Sequence, residues 1–350
     1  MRNFAAFYFL IFLLGVSAVC GQQRSGEDLF RVWIDDKTGY INRQGEVVIK
    51  PVFDFANEFA EDMAVVEVDG KHGYIDTTGK MVIPPQFIYA HSFVGGIAAV
   101  EIEDMEAERI KRNRPSSEIT IIECGGPATK TRYIDKSGKF ISSQEFAEGR
   151  SFGQGLARVR KEGKIGYIDR AGKLIVPYKY DDSSYFSGGF AAVKLNGMWG
   201  FIDKNGREAI APQFEQAREF TEGLAAVLID EKWGYVDTAG KIVISPQFEF
   251  TVGFSEGLAS VRINEKDGFI DKTGKMVIEP KFDYAVIFLE GLAAVEINGK
   301  RGFVNKKGEF VLPARFDSAE FFERGLAYVD EGNISGYIDK KGQFIWKDQK

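Results

Sequence analysis

The chain has 350 residues, a formal net charge of −6, 44% hydrophobic and 13% aromatic residues, two histidines and two cysteines. Lysine and arginine are spread along it instead of gathered in a stripe, which argues against nucleic acid, because no patch would release phosphate counterions collectively. So few histidines and cysteines supply a metal site, a Ser-His pair or a disulfide framework poorly.

Residues Phe4 to Val19 are almost entirely apolar, with Arg2 ahead and the polar run Gln22-Gln23-Arg24-Ser25 behind. This is the layout of a secretory signal peptide over 1–21, too short for a membrane span. Cleavage is expected after Ala18 or Gly21. Cys20 admits a lipid-anchored alternative, although Val19 is a poor residue to precede a lipidated cysteine. The expected location is therefore secreted, periplasmic or at the cell surface, with no integral span in the mature chain. Residues 22–28 read as a short linker. If Cys20 leaves with the leader, Cys124 is alone, so packing and not an internal disulfide must hold the fold.

From residue 29 to 347 one unit is written nine times. The pattern Gly-aromatic-aliphatic-Asp starts at Gly39, Gly73, Arg132, Gly166, Gly200, Gly234, Gly268, Gly302 and Gly336, mostly 34 residues apart. The one long step, from 73 to 132, carries an insertion at about 103–131. Six residues after each start stands a glycine, Gly45 through Gly342. In Asp237-Thr238-Ala239-Gly240 the Asp can bond the backbone two residues on while Gly takes a positive φ, which predicts a tight hairpin between two strands. Two aromatic columns keep the same register. One runs from Phe59 to Phe322, the other from Phe53 to Phe316 with Tyr180 standing in once, and both are expected in the core between neighbouring units.

Each unit predicts three strands, through Leu-Ala-Ala-Val, Gly-Tyr-Ile-Asp and Lys-Met-Val-Ile-Pro, joined as an antiparallel meander. In the first, Leu292 and Ala294 face one side while Ala293, Val295 and Ile297 face the other, so the sheet is apolar on both faces and must be covered on both. Stacked units achieve this. The expected fold is all-β and propeller-like, with the alanine-rich strand nearest the axis. An open β-solenoid or spiral is the alternative, and because both ends close on whole units, with no strand exchange required, the open form gains slightly.

The unit resembles the WG-containing repeat, also called the KWG repeat, as Glu231-Lys232-Trp233-Gly234-Tyr235-Val236-Asp237-Thr238-Ala239-Gly240-Lys241 illustrates. The Trp-Gly pair itself stands only at Trp199-Gly200 and Trp233-Gly234, and Thr38, His72, Thr131, Ile165, Asp267, Arg301 or Ser335 take the Trp position elsewhere. The resemblance implies a scaffold found mostly in bacterial proteins and carries no catalytic residues over to this chain.

Each chemical candidate has a plain structural explanation. His72 and His91 occupy different columns, and His72 reads as a partly exposed hairpin residue. The recurring Asp76, Asp135, Asp169, Asp203, Asp237, Asp271 and Asp339, with Asn42 and Asn305, offer one oxygen per turn, which suits turn capping better than calcium. Glu222, Glu256 and Glu290 read as solvated loop carboxylates. The insertion places Glu103 to Arg114, Ile119-Thr120-Ile121-Ile122 and Cys124 on a protruding loop, a common seat of specificity and also a tolerated expansion. The expected function is a non-enzymatic exported repeat scaffold or binding module for a protein or glycan, without catalytic residues, cofactor or metal. A glycan-active hydrolase using a carboxylate pair and a purely structural envelope component are the alternatives.

Overall fold

The structure, a computed structural model, describes residues 29–107 and 128–348. Its strands form nine small antiparallel sheets in chain order, set in a ring as the blades of a β-propeller. Blade 2 shows the plan: Phe55–Ala56, Met63–Val68, Lys71–Asp76 and Met81–Phe87 pair in sequence. The alanine-rich second strand is buried on both faces, whereas the fourth alternates between exposed and buried. The fourth strand therefore forms the perimeter, and the short first strand stands at the axis. Proline interrupts these outer strands, for instance Pro51, Pro212 and Pro246, which removes donors from an edge that could otherwise pair with another chain.

Two expectations are corrected here. Seven blades have four strands, not three, and a two- to six-residue strand lies inside the alanine-rich one. The inner strand escapes a sequence reading because a pair such as Phe55–Ala56 is too short to show any alternation. The aromatic columns, by contrast, fill the gaps between blades as expected. The tyrosine or phenylalanine of each third strand packs on the aromatic that follows the next blade's inner strand, as in Tyr40–Phe59 at 4.7 Å, Tyr235–Phe254 at 4.9 Å and Phe269–Phe288 at 4.8 Å. Where that ring is tyrosine, its buried hydroxyl donates to the carbonyl just past a two-residue inner strand of the next blade: Tyr74 to His91 O at 2.8 Å, Tyr167 to Ser184 O at 2.7 Å.

The ring is closed, as the propeller-like expectation has it, and the open alternative is not adopted. Blade 1 has only three strands among the described residues, so blade 9 meets no inner strand there. Larger side chains take its place. Phe30 stands where other copies have alanine and packs 5.5 Å from Tyr337. Tyr337 donates to Arg31 O at 2.9 Å, and Arg324 donates to Leu29 O and to Glu58, each at 3.0 Å. Phe30, Val32, Ile41, Leu326 and Tyr337 make the buried cluster of this seam. Closure thus needs no exchanged strand, as the sequence anticipated, but whole units do not imply an open form.

The invariant turn glycine behaves as its spacing predicts. Gly240 has φ 79°, its N–H donates to Asp237 O at 2.9 Å, and the Asp237 carboxylate accepts from Ala239 and Lys241 N–H at 3.0 and 2.9 Å. A Cβ there would lie 3.2 Å from Ile210 of the preceding blade. Gly240→Val is expected to destabilise the protein by roughly 2–4 kcal/mol, through backbone strain and this crowding. Chemical denaturation checks it, and an unchanged midpoint contradicts the turn assignment.

The glycine that opens the pattern serves another purpose. At Gly234 the register between third and outer strand slips, and a Cβ would stand 2.6 Å from Ile244 O and 2.7 Å from Pro246 N. Glycine lets the bulged outer strand cross closely. The third copy has Arg132 instead. Its guanidinium lies 3.5 Å from the Phe140 ring and donates to Ser142 O at 2.9 Å. Blade 3 retains only isolated bridges, Thr131 to Phe146 and Ile134 to Phe140, in place of an outer strand. Arg132→Gly is expected to raise amide-exchange protection across residues 140–146, whereas unchanged protection assigns the lost strand to Ser142 and Ser143.

No helix of the described residues is long and apolar enough to cross a membrane.

Candidate functional site at the inner rim

The antiparallel meander sends the hairpins between second and third strands, with the links from blade to blade, to one face of the ring, and the first-second and third-fourth turns to the opposite face. The recurring Asp residues lie on the opposite face and cap their own turns: Asp76 Oδ1 accepts from Thr78 and Lys80 N–H at 2.9 and 3.1 Å. Glu222, Glu256 and Glu290 are also there, but they do more than face solvent. Each accepts the N–H of the glycine at the equivalent turn of the next blade, Gly257, Gly291 and Gly325, at 3.1, 3.1 and 3.0 Å. A lysine two turns on joins each, as Lys272 does with Glu222 at 2.9 Å. In the ninth copy this position holds Arg324, which reaches blade 1 instead. The acidic column is a belt between blades.

His72 is buried, not partly exposed, with Nδ1 lacking a partner and Nε2 3.7 Å from Glu67. The two histidines share one neighbour, which their different columns did not suggest. The Tyr89 ring stands 5.2 Å from His72 and 5.1 Å from His91. The position equivalent to Trp233 is interior in several copies: Thr38, Thr131, Ile165 and Asp267 are all buried there. Asp267 is neutralised by Arg262 at 2.7 and 3.0 Å and accepts Ala285 N–H.

The positions that vary most face the axis. Ahead of each inner aromatic stand Asn57-Glu58, His91-Ser92, Arg150-Ser151, Ser184-Tyr185, Arg218-Glu219, Val252-Gly253, Val286-Ile287 and Glu320-Phe321. Blades 2 to 6 therefore present polar and charged groups, and blades 7 and 8 present apolar ones. The signal was available in the sequence as the two positions between aromatic columns whose pairing never recurs.

Blade 4 departs furthest from the pattern. Arg158 replaces the second of the paired alanines and meets Asp182 at 3.3 Å and Glu148 at 3.7 Å. Arg150 and Arg160 converge on the same Glu148 at 3.1 and 2.9 Å. Burial opposes the Glu148 charge, but the Arg160 hydrogen bond and the neighbouring guanidiniums outweigh it and hold the carboxyl below its ordinary range. Glu219 and Glu320 lack such support, and burial pushes both upward. Next to blade 4, the insertion leaves blade 3 on the same face as this cluster. Its root is fixed by Asp104 N–H to Ala128 O at 2.7 Å and by Lys130 to Asp104 at 3.1 Å. Most of the insertion, including Cys124, lies outside the described residues, as do the leader and Cys20. Among the described residues no group of three or more His, Cys, Asp or Glu could hold a metal ion.

The Trp-Gly geometry of blade 6 and its repetition decide the family. The WG containing repeat matches residues 39–71, 73–105, 132–164, 165–199, 199–233, 233–266, 268–300 and 302–333. This chain belongs to the WG-containing repeat family. No curated protein sequence matches it. The ring of the WG-repeat protein is similar to the crystal structure of a eukaryotic initiation factor, with TM-score 0.64 and 10% identity over 94% of this chain and 98% of that one. That likeness shows the fold alone. The Kluyveromyces lactis Hsv2p structure (TM-score 0.39, 8% identity, 70% of this chain and 89% of that one) is more distant. So is the extracellular domain of a one component system from B. thetaiotaomicron (TM-score 0.36, 9% identity, 92% and 58%). Neither carries an argument here.

Within the WG-repeat protein, burial, with a lesser part from Arg150, depresses His91 to about 4. Between pH 6.5 and 4 the unfolded chain takes up a proton at this residue that the folded chain refuses. Its contribution to stability is therefore complete above 6.5 and lost as the pH falls to 4. His91→Gln is expected to flatten the acid limb of the stability curve across this window by on the order of 3 kcal/mol. Identical limbs in denaturant melts of both proteins contradict the burial of a neutral ring.

Proposed function

We propose that this WG-repeat protein is a non-catalytic binding module of the cell envelope or extracellular space, which engages a glycan or protein at the axis-facing rim of blades 2 to 6. One observation carries the reading. The columns that build the ring barely vary, whereas no two blades carry the same innermost pair, and His91, Arg150, Tyr185, Arg218 and Glu219 gather on contiguous blades. A rigid scaffold bearing variable side chains at its mouth is the usual arrangement of a recognition surface. The apolar run Phe4 to Val19 supports export.

A glycan is favoured over a protein by the aromatics beside this rim. Phe55, Tyr89 and Phe250, all at the first position of an inner strand, are 36%, 44% and 39% exposed. Such rings offer apolar faces to the C–H faces of pyranoses. A hydrolase would use a pair of carboxyls a few ångströms apart. The two that burial pushes upward, Glu219 and Glu320, belong to blades 6 and 9.

The test is a glycan array probed with labelled protein, followed by titration of the strongest hit. Tyr89→Ala combined with Tyr185→Ala is expected to weaken binding about ten-fold or more at unchanged melting temperature, with no release of reducing ends on incubation. Undiminished binding by the double variant moves the site elsewhere, and release of reducing ends restores the enzyme.

A further inference from the structure

Arg218 stands apart from the other arginines. It is half-buried, and its guanidinium lies 4.8 Å from the Trp233 ring and 5.0 Å from the Phe250 ring. Its Nε is buried without a hydrogen-bond partner, a trait it shares with Arg31, Arg132 and Arg324. Every other half-buried arginine of the described residues donates to at least one acceptor. Arg31 provides the control, because it has nearly the same setting, 4.6 Å from Trp33 and 5.9 Å from Phe55. There the cation is answered, by Ala56 O at 3.0 Å and Glu58 at 3.8 Å.

The Glu219 carboxyl, next in sequence, does not answer Arg218. It is engaged by the Tyr185 backbone N–H, and burial keeps it toward its neutral form. Burial likewise opposes the Arg218 charge, and the only group opposing that effect is the Tyr235 hydroxyl. A partly desolvated cation without an acceptor is costly, because guanidinium donors away from water need partners. Two rings lie against the guanidinium and restrain it, and its donors have no acceptor among the described residues.

We propose that Arg218 is a recognition site for the carboxylate of a uronic-acid residue in a glycan, with the exposed Phe250 ring receiving the sugar face. This rests on the glycan reading above and adds the charge class of the ligand. A planar monoanion matches one guanidinium in number and geometry, through two parallel N–H···O bonds. A phosphate dianion would leave excess negative charge on a surface that already carries Glu215, Asp230 and Glu249 on the adjoining turns, in a chain of net charge −6.

The experiment is calorimetric titration of the full protein at low ionic strength with trigalacturonic acid and with its methyl ester, which keeps the rings and loses the charge. The acid is expected to bind about ten-fold or more tightly than the ester. Arg218→Gln is expected to abolish that preference while retaining ester binding and the melting temperature. If the Gln variant does not fold, Arg218→Lys keeps the charge without the fork, and the preference is expected to fall at least about three-fold. Equal binding of acid and ester by the wild type overturns the carboxylate site and leaves the glycan reading standing. A preference that survives in either variant also overturns it. Binding of neither probe overturns it too, and the glycan array then decides the broader reading separately.

Discussion

The ring depends on one contact repeated between neighbours: an aromatic of a third strand against the aromatic following the next blade's inner strand. Tyr40 on Phe59, Tyr74 on Phe93 and Tyr167 on Phe186 are the same interaction on successive blades. Where tyrosine supplies the ring, its hydroxyl also fixes the height of the next inner strand by bonding a carbonyl. Sheets this small are marginal alone, so each blade gains its stability from its neighbours. Paired alanines in the second strand suit this arrangement, because the large side chains come from the adjacent blade.

The same dependence makes the seam informative. Blade 9 expects an inner strand with an aromatic and meets neither among the described residues. Phe30 and Tyr328, both in place of alanine, and Arg324 in place of glutamate fill the space and reverse the sense of the link. Eight contacts follow a rule, and the ninth is solved by substitutions on both sides.

How much could be read beforehand follows from this. The turn glycines, the aromatic columns and the four-residue pattern are periodic, because every blade faces the same geometric demand, and periodicity is visible in a single sequence. The inner strand was not legible, since two residues leave no alternating pattern. Nor were the contacts that close the ring, because an arginine in an acidic column has meaning only when its distant partner is known. His72 was misread for a similar reason: its column shows Trp, Asp and Thr, and only the fold reveals that Trp233, Asp267, Thr38 and Thr131 are buried there. The rim was half legible. Its positions were visible as those that do not repeat, but the answered Arg31 and the unanswered Arg218 look alike until their neighbours are placed.

A seam made of side chains alone has an evolutionary implication. Each blade begins and ends within one stretch of chain, so duplicating or deleting a stretch of gene between equivalent points adds or removes a whole blade and leaves every remaining sheet intact. Only the seam must then be refitted, through a few substitutions such as those at Phe30 and Arg324. Proteins assembled in this way can change copy number by small genetic steps, and the odd residues in an otherwise regular column record where the circle was last joined.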